Sequence, residues 1–150
     1  MKISYSAPAK IILSGEHSVV YTKPAFVTAV DYHLVCTLEE GVPMAGEKSI
    51  TQAVHFVDNI VTSYINKEKI ESDIRPFLYT FSSTIPEGRG MGSSAAFCVA
   101  MVAALLHFYT GRQFDKQIVS SLAYQAEKHF HGIPSGVDVS ASCYGGLIFY

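Results

Sequence analysis

The stretch that most restricts what this chain can become is Pro86-Glu-Gly-Arg-Gly-Met-Gly-Ser-Ser-Ala-Ala96, which runs straight into Phe97-Cys-Val-Ala-Met-Val-Ala-Ala-Leu-Leu106. Three glycines in five residues, Gly88, Gly90 and Gly92, let the backbone take left-handed angles and come close to a bound group. Ser93 and Ser94 stand where an alanine-rich apolar segment begins, the place for a helix N-cap. The first amides of such a helix have no internal partner and lie at the positive end of its dipole. Glycine loop, hydroxyl pair and helix start together predict an anion cradle, with phosphate the usual anion. Two common phosphate motifs are excluded. A P-loop needs lysine and then Ser or Thr after its last glycine, where Ser93-Ser94 stand, and the sixth position counted from Gly88, a glycine in dinucleotide fingerprints, is Ser93.

A phosphotransfer site also needs carboxylates and a cation. Glu127 lies near the end of a helix that Asp115 can cap, and Asp138 follows the turn Gly132-Ile-Pro-Ser-Gly136, which can project it into a cleft. Transfer from a nucleotide uses Mg²⁺ to neutralise phosphate charge, and hard cations take oxygen ligands such as Ser and Glu. An Asp beside a Lys suits the group that orients or deprotonates the attacking alcohol. Lys10, followed by Ile11, Ile12 and Leu13, is an odd cation in apolar sequence. Spacing alone leaves a plainer reading open, with Glu127 a solvated surface acid and Lys10 reaching out to water. Glu16-His17 either binds a polar substrate or closes a turn. His129 and His131 are two apart and leave a helix on different sides, unlike the HxxxH spacing of helical metal pairs.

At 150 residues, 49% hydrophobic and 16% charged, the chain is long enough for one domain with its own core. A net charge of −2 and no long Lys/Arg run argue against nucleic acid or an anionic membrane as main partner. The longest apolar run, Ala95 to Leu106, is short of the roughly 20 residues that cross a bilayer and reads as a buried helix. Cys36, Cys98 and Cys143 have no metal-ligand spacing; small buried thiols in a reduced, cytoplasmic setting are expected.

Along the chain, Ile3 to Leu13 reads as two short strands or one bent strand around Pro8, and Pro24 to Asp31 and Tyr32 to Glu39 carry β character. Ser49-Ile-Thr-Gln52 has capping-box spacing ahead of a helical stripe from Ile50 to Ile65. Phe77, Tyr79 and Phe81 put aromatics on one face of a strand, more in keeping with core than with a base-stacking platform. A helix with the stripe Ile118, Val119, Leu122, Ala123, Ala126 and Phe130 follows, and Leu147 to Tyr150 is strand-like. Strands before and between helices predict a mixed α/β (α+β) domain. The chain stops inside an apparent strand and is expected to be the front portion of a longer protein.

Three segments resemble the GHMP family of small-molecule kinases. Ala7-Pro-Ala-Lys-Ile-Ile-Leu-Ser-Gly-Glu-His-Ser-Val-Val-Tyr21 is similar to the family's first motif, Pro86 to Ala96 to its phosphate-binding motif, and Glu127-Lys-His-Phe-His-Gly-Ile-Pro-Ser-Gly-Val-Asp138 to the stretch joining its metal-binding Glu to its active-site Asp. The resemblance implies a GHMP kinase N-terminal domain over residues 1–150, related to the second domain of ribosomal protein S5, with the C-terminal domain missing. It implies that the loop Gly88, Arg89, Gly90, Met91, Gly92, Ser93, Ser94 and Ala95 holds ATP, and that Ser94 and Glu127 bind Mg²⁺. Lys10 and Asp138 would flank the attacking hydroxyl, and Glu16 and His17 would contact the acceptor. Within the family the likeness is to members that phosphorylate the primary hydroxyl of mevalonate. Another acceptor (phosphomevalonate or a sugar) and a non-catalytic nucleotide-binding module remain alternatives, and a homodimer is left open. Met91 replaces the family's usual Leu, Val139 a common Asn and Thr22 a common Gly, and the family's third, glycine-rich motif is absent. The 150 residues alone are therefore expected to be inactive or nearly so.

Overall fold

The computed structural model describes residues 1–15, 24–42, 48–86, 88–132 and 134–150. The elements in chain order are β1 (Lys2–Ser14), β2 (Phe26–Glu40), α1 (Lys48–Lys67), β3 (Phe77–Ser83), α2 (Ser93–Thr110), α3 (Lys116–His131), α4 (Val137–Tyr144) and β4 (Leu147–Phe149). Every strand pairing among the described residues is antiparallel. β1 pairs along one edge of β2, so β3, opposite residues 34–40, and β4, opposite residues 26–28, share the other edge.

The long β1 is one bent strand. Pro8 pairs with His33 and Ala9 with Val30, so Asp31 and Tyr32 are extra residues on β2. A proline cannot donate to the ladder, and a register irregularity is where a strand tolerates one. Beyond the bend, Ile12 packs with Val27 and Ile148 against Val137 and Ala141 of α4, and Lys10 also turns to this covered side. Ile11, Leu13, Phe26, Leu147 and Phe149 remain exposed, with the Phe26 and Phe149 rings 5.0 Å apart.

The apolar segment after the glycine loop is the centre of the fold. α2 touches β1, β2 and all three other helices, and it is buried nearly all round, from Ala95 to Tyr109. A helix that is apolar on every side has to be enclosed. At 18 residues it is longer than the apolar run read from the sequence and apolar enough to cross a membrane by length and composition, yet here it is a core helix. Ala7, Ala9, Leu34, Cys36 and Leu38 pack into the same core, where the Cys36 thiol lies 3.4 Å from Met101 Sδ. All three cysteines are free and buried.

The α1 stripe buries Val54, Val57, Val61 and Ile65, but Ile50 is exposed. The helix starts at Lys48, so Ser49 is already helical and Ser49–Gln52 is not a capping box. On β3, Phe77 is buried and packs edge-on against Phe108, while Tyr79 and Phe81 continue the aromatic row onto Phe97. Asp115 caps α3, accepting the Ile118 amide at 2.9 Å. Asp115→Ala should lower unfolding stability by about 1 kcal/mol, the usual worth of an N-cap. A urea-denaturation midpoint no lower than that of the native chain would rule this out.

Candidate active site

The glycine loop closes onto β1. The Lys10 amide donates to the Met91 carbonyl at 2.9 Å, and Met91 itself packs inward against the core. Gly92 then adopts φ 73° and is the N-cap of α2. This corrects the expected serine cap: Ser93 and Ser94 are the first two helical residues, and among the described residues no side chain caps the helix. The reason is steric as well as conformational, because a Cβ on Gly92 would sit 3.0 Å from Lys10 Cγ and 3.1 Å from Cε. A serine at the cap would need a left-handed backbone and would push the lysine stem aside by a few tenths of an ångström. The amides of the first turn, Ser93, Ser94 and Ala95, therefore stay at an uncapped helix end. Gly88 and Gly90 are also left-handed, and the loop from Gly88 through Arg89 to Gly90 is exposed. Alternating left-handed glycines before an uncapped helix make a backbone concavity that fits phosphate.

Lys10 does not reach out to water. It is 6% exposed, and its Nζ lies 2.9 Å from Asp138 Oδ1. A buried ammonium without a partner would be strongly destabilising, so this carboxylate is obligatory. Asp138 sits in the first turn of α4, behind the N-cap Gly136, where an acid also meets the positive helix end. Two tyrosines pin the turn that delivers it: Tyr124 on α3 donates to the Pro134 carbonyl at 3.2 Å, and Tyr150 to the Ser135 carbonyl at 2.8 Å. With its side chain 34% exposed, Asp138 is held from beneath and still reachable.

Glu127 is not a surface acid either. It is 1% exposed, and Ser94 Oγ donates to its Oε1 at 2.8 Å. Its other oxygen, Oε2, is buried and has no hydrogen-bond partner among the described residues. Burial raises the carboxyl pKa, which the Ser94 hydroxyl, the Cys98 thiol and His131 oppose and the charge of Asp138 reinforces. A buried carboxylate with one oxygen unsatisfied, bonded to a hydroxyl at a helix start, is a donor set that fits a hard divalent cation. Glu127, His131, Pro134, Ser135, Gly136, Asp138 and Val139 line one cavity of about 150 Å³. A larger apolar groove of about 440 Å³ starts from Ser93 and Ser94 and runs along Phe97, Phe81, Phe130, Ile50 and Leu34.

Of the residues singled out in the sequence, Lys10, Met91, Gly92, Ser94, Glu127 and Asp138 thus meet around one helix start. Ser93 and Ala95 stand in the same first turn, with Ala95 buried and Ser93 exposed. Glu16 and His17 lie outside the described residues. Two neighbours of the site escaped sequence reading. His131, read only against His129, has its Nε2 3.0 Å from Ser94 Oγ and 3.3 Å from Glu127 Oε1, while His129 stacks on Phe56. Cys98, read only as a buried thiol, lies beside the Glu127 carboxyl. The signal was spacing: Cys98 follows Ser94, and His131 follows Glu127, by one helical turn each.

Residues 53–146 match the family of GHMP kinases N terminal domains. The chain belongs to that family. It is 35% identical to the mevalonate kinase of Methanothermobacter thermautotrophicus across 99% of the chain and 50% of that protein. It is 33% identical to that of Pyrococcus furiosus across 100% of the chain and 52% of the relative. The structure superposes on Methanococcus jannaschii mevalonate kinase with a TM-score of 0.85 at 24% identity, over 100% of this chain and 53% of that one, a likeness of fold. Against L. major mevalonate kinase in complex with R-mevalonate the TM-score is 0.75 at 28% identity, over 99% of this chain and 48% of the other. The chain spans about half the length of the curated relatives it matches.

The raised pKa of Glu127 has a definite sign. Folded, the group holds its proton to higher pH than in the unfolded chain, so stability falls as pH rises from the ordinary carboxylate range through the raised value. Glu127→Gln should therefore melt higher than the native chain at pH 7, with the gap closing towards pH 4. Thermal melts across that range check it, and a gap that does not change with pH would contradict the burial account.

Proposed function

We propose that this chain is the nucleotide- and acceptor-binding half of an ATP-dependent kinase that phosphorylates the primary hydroxyl of mevalonate. The observation that carries the reading is the ion pair between buried Lys10, beneath Gly92, and partly exposed Asp138, beside the Ser94–Glu127 pair. Phosphoryl transfer asks for phosphate binding, charge neutralisation and an oriented nucleophile, and these residues divide that work.

The left-handed loop from Gly88 to Gly92 and the first-turn amides of Ser93, Ser94 and Ala95 receive the phosphates. The apolar groove that leaves Ser93 and Ser94 along Phe81, Phe97 and Phe130 is where the adenine rests. Ser94 and Glu127 are the residues that would hold Mg²⁺, whose charge offsets that of the phosphates. Asp138 accepts a hydrogen bond, and then the proton, from the attacking hydroxyl, while Lys10 fixes the direction of the carboxylate. The acceptor enters the cavity between Asp138, His131 and Pro134. Mevalonate is favoured by the relatives, which are mevalonate kinases, one of them solved with R-mevalonate. Glu16 and His17 are proposed to contact it.

A coupled ADP-release assay on the full-length protein, with mevalonate, phosphomevalonate and galactose as parallel acceptors, tests the reading. Turnover should appear with mevalonate; turnover with another acceptor alone would reassign the substrate, and none at all would favour a binding module. Asp138→Asn should cut kcat by about 100-fold or more while ATP affinity stays within about twofold. Unchanged kcat would remove Asp138 from the chemistry.

A further inference from the structure

His131 contacts Ser94 Oγ, which a cation at Ser94 and Glu127 would need, and lies against the oxygen of Glu127 that Ser94 already holds. Ser94 has one hydroxyl hydrogen, and it is directed to Glu127 Oε1 at 2.8 Å. The 3.0 Å contact from His131 Nε2 to Ser94 Oγ therefore needs hydrogen on the nitrogen, as does the 3.3 Å contact from Nε2 to Glu127 Oε1. The imidazole N–H is thus given to a serine lone pair, with the Glu127 carboxylate close beside it. A metal ion bound to Ser94 and to the partnerless Glu127 Oε2 would need the Ser94 lone pair that the imidazole occupies.

The placement of the ring favours departure over permanent ligation. His131 is the last residue of α3, next to Gly132 at φ 64°, and its side chain is 57% exposed. Glu127, by contrast, is fixed by burial and by Ser94, so its carboxylate does not depend on the histidine for its direction. The cavity on which Glu127 and Asp138 open has His131 as part of its wall.

We propose that His131 is a placeholder for the divalent cation. In the nucleotide-free protein it donates Nε2–H to Ser94 Oγ and sets its ring edge against Glu127 Oε1, which limits the cost of a buried, half-satisfied carboxylate, and it swings into solvent when the metal–nucleotide complex binds. The inference rests on the assignment of Ser94 and Glu127 as metal-binding residues. It makes His131 a positioning residue that competes with the metal and sets its affinity, since binding must first break the imidazole contacts.

Mn²⁺ titrations of the full-length protein in the presence of ADP, followed by electron paramagnetic resonance at one fixed pH, separate the outcomes. His131→Ala should bind Mn²⁺ more tightly by roughly two- to tenfold, the scale of one hydrogen bond, here beside a carboxylate. His131→Gln, whose amide N–H can reach the place of Nε2, should return the affinity to that of the native protein. Adding Mg²⁺ and ADP should also shift the His131 Nε2 resonance in a ¹H–¹⁵N spectrum. Unchanged or weaker Mn²⁺ binding in His131→Ala overturns the placeholder role. Glu127→Gln is the control that tells the two readings apart: if it binds Mn²⁺ as the native protein does, the metal assignment itself fails and the role of His131 fails with it. If it weakens binding and His131→Ala does not tighten it, only the placeholder is lost.

Discussion

A lysine ammonium that is almost out of water has to be met by a carboxylate, and here that requirement ties together segments far apart in the chain. Lys10 comes from a strand, Asp138 from a helix start 128 positions on (138 − 10), and Gly92 from the loop that covers the lysine stem. Each contributor is shaped for the meeting. The bend after Pro8 precedes the point where β1 turns Lys10 to the covered side, and two tyrosines hold the Pro134-Ser135-Gly136 turn that supports Asp138. A buried ion pair is weak evidence for stability, because desolvation of both charges offsets much of their attraction. Its place beside a cavity that Asp138 lines, with that partner still reachable, is what the proposed chemistry asks for.

The Glu127 corner works by a different imbalance. Burial disfavours its charge, and the groups around it only partly compensate: one hydroxyl, one thiol, one imidazole, and an oxygen left with no donor. On the proposed metal role, the site is costly without positive charge and would improve with a cation, in keeping with the general observation that functional sites hold interactions the rest of a fold avoids. A hydrogen-bond donor on the exposed end of α3 moderates the cost without closing the site.

The sheet carries a further asymmetry. One side, through Ile12, Val27 and Ile148, is covered by α4, whereas Ile11, Leu13, Phe26, Leu147 and Phe149 face outward on the other. An apolar surface of this kind is what an interface or a neighbouring domain normally covers. In the same family the curated relatives are about twice as long as the segment they share with this chain.

Several features follow from the sequence because they depend on neighbours only a few residues away. The glycine loop before α2, the enclosure of a segment apolar on every side, the Asp115 cap and the aromatic face of β3 all belong to this group, as does the mixed α/β class. Local rules misplaced the caps of α1 and α2, since Ser49 and the Ser93-Ser94 pair look like caps until the backbone path is fixed. At α2 the decision was partly tertiary: the Lys10 stem crowds any side chain at position 92, where the backbone is also left-handed. Family resemblance named Lys10, Ser94, Glu127 and Asp138, but only the packed chain decided that Lys10 and Glu127 are buried, that each has a specific partner, and that His131 and Cys98 flank the carboxylate. Burial and pairing are properties of surfaces brought together from distant parts of the chain, and spacing along one strand or helix carries no record of what will be laid against it.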